Sequence, residues 1–296
     1  MIDYVVPMVF NDDPLWQSDF ARAGGRYDES NPYDFVRYRS WGLEHLLVRC
    51  VKKFMPWVRT IYVILARKSQ WKEWMDEEGV RVVYHEDFIP KKHLPVFNSR
   101  AIEMFLKDIP NLSEQFLYGN DDMFPLAPMQ EWDFFSGGLP CLQHTEHEIP
   151  EHPNNFHLAC LNGLNFIGRD FGVEFKGTIL KDGHCITPML KSTWEYLWDK
   201  YGEEIDRSVT AFREPCNFNQ WLCPWWHHLS GKYIDKAPAR VYVSIKKSVD
   251  EVVKVIKEAR GIVCINDNEC EKDYMKYGRA VKKAIENKKT SRSEER

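Results

Sequence analysis

What most constrains this chain is an alternation between short, uniformly apolar runs and stretches of helical spacing. Ile2 to Phe10, Thr60 to Ala66, Val80 to Tyr84 and Phe116 to Tyr118 are rich in β-branched and aromatic residues and read as strands. Between them, Leu43, Leu46, Leu47, Cys50, Val51 and Phe54 recur at helical spacing over Trp41 to Phe54, until Pro56 stops the pattern. Gln70 to Glu78 reads as a small helix and Asn98 to Asp108 as another. Strands without polar alternation are buried on both faces. Helices that return the chain between them make the sheet mostly parallel. The fold class is therefore α/β, and functional groups are expected at the carboxyl ends of its strands.

The rest of the chain is less regular. Asn11-Asp12-Asp13-Pro14 is a turn, and residues 21–35 read as a loop. Residues 139–187 carry five of the ten histidines, with Pro150 and Pro153, and read as an irregular insertion. Thr187 to Tyr201 reads as a helix opened by Pro188. Asn217 to Ser230 reads as a helix with an aromatic face of Trp221, Trp225 and Trp226. Arg240 to Ser244 is a strand, Val249 to Ala259 a helix, and Gly261 to Ile265 a strand running into Asn266-Asp267-Asn268. Residues 1–287 are expected to form one catalytic domain, and the polar stretch 288–296 a disordered tail.

Composition narrows the function classes. A net charge of −4 argues against a nucleic-acid partner. No run of about 18 apolar residues exists, and the first residues read as a strand rather than a signal peptide. A cytoplasmic location is expected, with any contact to the inner face of the membrane made peripherally through a partner or a surface patch. The eight cysteines form no C-x-x-C pair and are expected to be free buried thiols. The sequence carries no signal for an oligomeric state.

Four constellations bear chemistry. FLYGNDDMF (116–124) sets Asp121 and Asp122 at a strand end, where hard oxygen ligands suit Mg²⁺ or Mn²⁺ over a diphosphate; helix capping is the plainer role. GIVCINDN (261–268) repeats the pattern with Asn266 and Asp267, in an Asx cluster that also favours turns. GHCITPML (183–190) offers His184 as a general acid or base, or as a structural histidine. TAFR (210–213) offers Arg213 as a phosphate clamp, or as a surface ion pair. His144, His147 and His152 invite a zinc reading, although no H-E-x-x-H occurs.

Taken together and in order, these segments resemble the Stealth family of sugar-phosphate transferases, which includes bacterial capsular polysaccharide phosphotransferases. The first of its four regions resembles IDYVVPMVFNDDPLW (2–16). The second resembles RYRSWGLEHLLVRCVKKFMPWVRTIYVI (37–64), HEDFIP (85–90), LPVFNSRAIE (94–103) and LSEQFLYGNDDMF (112–124). The third resembles GHCITPMLKSTWEYLW (183–198) with TAFR, and the fourth CINDN (264–268). The resemblance implies a glycosyltransferase-A-like fold and metal-dependent transfer of a sugar-1-phosphate from a nucleotide sugar, a UDP-sugar, to a hydroxyl of a glycan acceptor. It implies Mg²⁺ or Mn²⁺ on Asp122, Asn266 and Asp267. It implies catalytic roles for His184, Arg213, Asp121, Asp122 and Arg49, and substrate contacts from Asn98, Ser99, Arg39, Asn11 and Asp13. The chain departs from the family pattern where W-V-D-G is replaced by Met8-Val9-Phe10-Asn11, and where Ser40 follows R-Y-R in place of Asp. Three rival readings remain on sequence grounds: a glycosyltransferase that releases nucleoside diphosphate, a glycan-binding protein built on the tryptophans, and a zinc protein built on the histidines.

Overall fold

The computed structural model describes residues 1–26, 36–181, 183–267 and 273–288; the 27–35 part of the expected loop, Asn268 and the tail from 289 lie outside them. Its strands are β1 (Ile2–Pro7), β2 (Val58–Leu65), β3 (Val80–Tyr84), β4 (Gln115–Tyr118), β5 (Met123–Pro125), β6 (Phe135–Ser136) and β7 (Leu139–Leu142). They continue as β8 (Thr145–Glu148), β9 (Thr178–Lys181), β10 (Thr187–Leu190), β11 (Ile234–Asp235), β12 (Arg240–Ser244) and β13 (Ile262–Asn266). The helices are α1 (Pro14–Arg22), α2 (Glu44–Phe54), α3 (His85–Phe88), α4 (Ser99–Glu103) and α5 (Asn155–Gly168). They are followed by α6 (Lys191–Ser208), α7 (Leu222–Ser230), α8 (Val249–Glu258) and α9 (Tyr274–Glu286).

The central sheet has the order β10-β4-β1-β2-β3, parallel except for β10. The α/β class and the mostly parallel sheet thus match the sequence reading. Alternate residues of the strands serve opposite faces. Tyr4, Val6, Ile61, Val63 and Leu117 join one core with Leu46, Leu47, Val51 and Phe54 of α2. Val5, Tyr62, Ile64, Phe116 and Tyr118 join the other with Ile102 of α4, Leu164 of α5, Trp194 of α6 and Trp225 of α7. A second sheet, β12-β13-β5, with α8 and α9 behind it, packs into the α2 side. At the amino end of β1 the buried Asp3 is neutralised by Arg59, at 2.9 and 2.6 Å, and by the Ser113 N–H at 2.7 Å.

Several elements differ from expectation. Thr187 to Leu190 is a strand and not the start of a helix; β10 lies at the sheet edge, where Pro188 removes no interior ladder bond. The helix begins only at Lys191. Gln70 to Glu78 resolves into two short 3₁₀ turns, Lys68–Gln70 and Glu73–Asp76. The irregular insertion contains α5, whose N-cap Asn154 accepts from the N–H groups of Phe156 and His157. Trp221 and Trp225 are buried, so they are core and not glycan platforms. Lys288 is fixed, its ammonium donating to the carbonyls of Ile256, Lys257 and Ala259 at the end of α8 at 2.8 to 3.0 Å. Among the described residues seven cysteines lie outside any disulfide, six of them buried and Cys216 exposed. No described helix is long and apolar enough to cross a membrane.

His227 on α7 makes the fold acid-sensitive. Its Nδ1–H donates to the Lys232 carbonyl at 2.8 Å, which leaves Nε2 to accept from the Thr193 hydroxyl at 2.9 Å. That arrangement suits the neutral ring, and burial pushes its pKa from 6.5 down to about 4. Between those values the unfolded chain takes up a proton that the native state refuses, so stability falls as pH drops through that window. The slope from this residue is about 1.4 kcal/mol per pH unit. Urea unfolding midpoints are expected to fall from about pH 6.5 to about pH 5, and His227→Asn to flatten that fall.

Candidate functional site

The chain runs outward from β1 to β2 and β3, then crosses back to place β4 on the other side of β1. Where strand order reverses in this way, the carboxyl ends of the two neighbours open a crevice. A cavity of about 400 Å³ lies there. Pro7 and Met8 line it from the end of β1, and Asn120, Asp121 and Asp122 from the turn after β4. Asn266 and Asp267 reach it from β13, His184 from the turn before β10, Glu44 from α2, Ser99 from α4, and Arg213 from the segment before α7.

The turn after β4 is held by close packing. A Cβ at Gly119 would collide with the Tyr4 hydroxyl and lie 2.9 Å from its Cζ, so only glycine lets the chain pass over Tyr4 into Asn120 and the two aspartates. The Tyr4 hydroxyl is fully buried and unpartnered. His184 is set by an unusual backbone: Gly183 has φ 79° and His184 itself φ 53°. Left-handed conformation in a non-glycine residue is sparsely populated and collects at functional sites. It brings His184 Nε2 to 3.9 Å from Asp122 Oδ2.

The acidic side of the cavity is crowded. Burial, then the charges of Asp122 and Glu44, push the Asp121 carboxyl up to about 8. Glu44 is buried and also raised, chiefly by burial, and accepts from the Ser40 hydroxyl. Asp122 Oδ1 is buried without a partner, while Oδ2 accepts from the Cys264 thiol at 3.3 Å. Burial and Asp122 keep that thiol protonated, so it serves Asp122 as a donor. Donor atoms of Asp122, His184 and Cys264 lie within 4.8 Å of one another, and among the described residues no other such group of three occurs. His144, His147 and His152 do not form one.

The basic side is organised by two arginines. Arg39 donates to both oxygens of Asp267 at 2.5 Å, and the Trp41 indole adds a bond to the same carboxylate at 2.7 Å. The Arg39 side chain is 4% exposed and lies 4.3 Å from the Tyr274 ring centroid. Arg213 donates through Nη2 to Ser99 Oγ at 2.8 Å, and its Nε is buried without a partner. Burial, with Arg37 and Arg100 nearby, lowers its pKa to about 10.

The structure thus gathers Asp121, Asp122, Asn266, Asp267, His184, Arg213, Arg39 and Ser99 at one cavity. It does not bring the remaining expected residues there. Arg49 is exposed on α2, opposite the helix face that packs into the core. Asp13 caps α1 through the Leu15 N–H and accepts from the Ser69 hydroxyl, and the Asn11 carbonyl accepts from Gln17. Asn98 is wholly buried; it caps α4 and ties it to the Phe212 carbonyl and Asn217, so it positions Arg213 rather than meeting a ligand. Asp267 accepts at both oxygens and anchors Arg39. Glu44 and His85 line the cavity without having been singled out. Glu44 reads in sequence as an ordinary acidic residue in a first helical turn, and His85 as the residue after a strand.

Residues 37–141 match the family described as Stealth protein CR2, conserved region 2. The chain is 32% identical to the receptor polysaccharide phosphotransferase WefC of Streptococcus oralis, over 90% of each chain. It is 29% identical to the capsular polysaccharide phosphotransferase WcwK of Streptococcus pneumoniae, over 97% of this chain and 96% of that one. A solved galactosyltransferase, LgtC, in complex with donor and acceptor sugar analogs aligns over 95% of both chains at 10% identity, with a TM-score of 0.39.

The packing of Gly119 on Tyr4 gives a direct test. Gly119→Ala is expected to destabilise the fold by about 1–3 kcal/mol through overpacking. Tyr4→Phe alone is expected to be neutral or stabilising, because the hydroxyl it removes has no partner. Combined with Gly119→Ala it should recover part of the loss, as measured by urea unfolding.

Proposed function

The chain belongs to the Stealth family of sugar-phosphate transferases, and from that membership we propose that it moves a sugar-1-phosphate from a UDP-sugar to a hydroxyl of a glycan acceptor in the building of a capsule or cell-surface polysaccharide. The observation that carries this reading is the pairing of Asp122 and Arg213 across one cavity, each with a buried polar atom that no protein group satisfies. A phosphoryl group needs a cation and a guanidinium at such a place.

A divalent ion suits the acidic side. The unpartnered Asp122 Oδ1, with the Asp121 carboxyl beside it, is a hard oxygen ligand that such a cation would satisfy. Asp122 and Asp121, with Asn266 beside them, would hold Mg²⁺ or Mn²⁺, which when bound neutralises the donor diphosphate.

The chain's own groups do the rest. Arg213, steadied by Ser99, offers N–H donors to the phosphoryl oxygens. His184 accepts the proton of the acceptor hydroxyl. The acceptor oxygen then bonds to the sugar-bearing phosphorus as that phosphorus parts from the bridging oxygen, and nucleoside monophosphate leaves. Asp267 keeps Arg39 in place, and Asn98 keeps the Arg213 segment against α4. Placement and fixed charge supply most of the rate in such a reaction.

Incubation with Mg²⁺, nucleotide sugars and acceptor glycans is expected to release nucleoside monophosphate, identified by mass, with the phosphate retained in the product. Release of nucleoside diphosphate would instead mean attack at the anomeric carbon. Arg213→Ala is expected to lower turnover by about 10²–10³-fold. Chelation of the divalent ion should abolish turnover.

A further inference from the structure

A transferase needs a place for its second sugar, and the residues of the cavity leave that place open to definition. Among the described residues, the exposed aromatics are Trp71, Trp132, Tyr196 and Tyr242. Of these, Tyr242 alone has a ring contact with a residue that lines the cavity. Its centroid lies 6.0 Å from that of His184, at an interplanar angle of 78°. Tyr242 is 50% exposed, so an accessible aromatic ring borders the imidazole. The strand register explains the position. Tyr242 on β12 pairs with Cys264 on β13, and Cys264 donates to Asp122. The ring therefore sits on the strand beside β13, which carries Cys264 and Asn266, yet Tyr242 is not among the residues that line the cavity.

We propose that Tyr242 is the stacking platform for the acceptor sugar, with one pyranose ring of the glycan lying on its exposed face and turning a hydroxyl toward His184. The inference rests on the transfer reading above. An aromatic face carries partial negative charge that complements the C–H face of a pyranose, and the phenol tip offers a polar partner beside it. Tyrosine supplies this contact area at small conformational cost, since it has only two side-chain torsions.

The test separates sugar binding from chemistry. Saturation-transfer NMR is run on the whole chain with the methyl glycosides of glucose, galactose and N-acetylglucosamine. Binding of UDP with Mg²⁺ is measured by calorimetry on the same samples. The wild-type protein is expected to saturate at least one glycoside, with the strongest transfer to one face of its ring. Tyr242→Ala should weaken that binding by about tenfold or more and leave UDP affinity unchanged, while Tyr242→Phe retains the glycoside. The proposal is overturned if the wild-type protein saturates no glycoside, if Tyr242→Ala binds as the wild type does, or if Tyr242→Ala loses UDP as well. Release of nucleoside diphosphate would remove attack at phosphorus and leave the platform standing. Failure of the wild type to bind UDP would remove the nucleotide-sugar reading, while the glycoside signal would still decide the role of Tyr242.

Discussion

A parallel sheet has to carry its chain back over a face between strands, and everything in this site depends on where that return changes side. The chain passes from β1 outward to β3 and comes back to β4 on the far side of β1. The two carboxyl ends then diverge, because α2 covers one face and α4 the other. No loop has to be excavated to form the cavity. It is the space that two oppositely directed crossings cannot fill.

The polar groups around that space are arranged by charge. Asp121, Asp122, Glu44 and Asp267 converge there, and burial together with the other three raises the proton affinity of Asp121. Three of the four have protein partners: Asp267 is held by Arg39, Glu44 by Ser40, and Asp122 through Oδ2 by Cys264. Asp122 Oδ1 is left unsatisfied. Removing Arg39 would strand a carboxylate in the same enclosure, a loss larger than the net worth of the pair itself. Ser40 stands where the family resemblance expects an aspartate, and a hydroxyl there avoids adding a fifth acid to the group.

The sequence was most legible where a pattern repeats. Alternating strands and helices gave the sheet and placed Asp121 and Asp122 at the end of β4, and the second strand running into Asn266 and Asp267 gave the other wall. Patterns failed where tertiary position outweighed local preference. Pro188 suits a helix start, yet at a sheet edge it is equally comfortable in a strand. Asn98 and Asp13 fall inside segments that carry the family resemblance, and in the structure both cap helices. Arg49 falls on the outer face of its helix, and motif matching alone does not reveal which face is inward. Cys264 and Tyr242 acquire their places only through contacts with residues far away in the chain.

That distance has a consequence for the making of the protein. Arg39 and Asp267 are separated by 228 positions, and Asp122 and Cys264 by 142. The central sheet through β4 is encoded in the first 118 residues, so its strands emerge long before the partners that complete the cavity. A nascent chain halted before β13 would hold the paired aspartates and Arg39 without their counterparts. The cavity is therefore completed only once β13 has emerged, and a copy halted before that point lacks one of its walls.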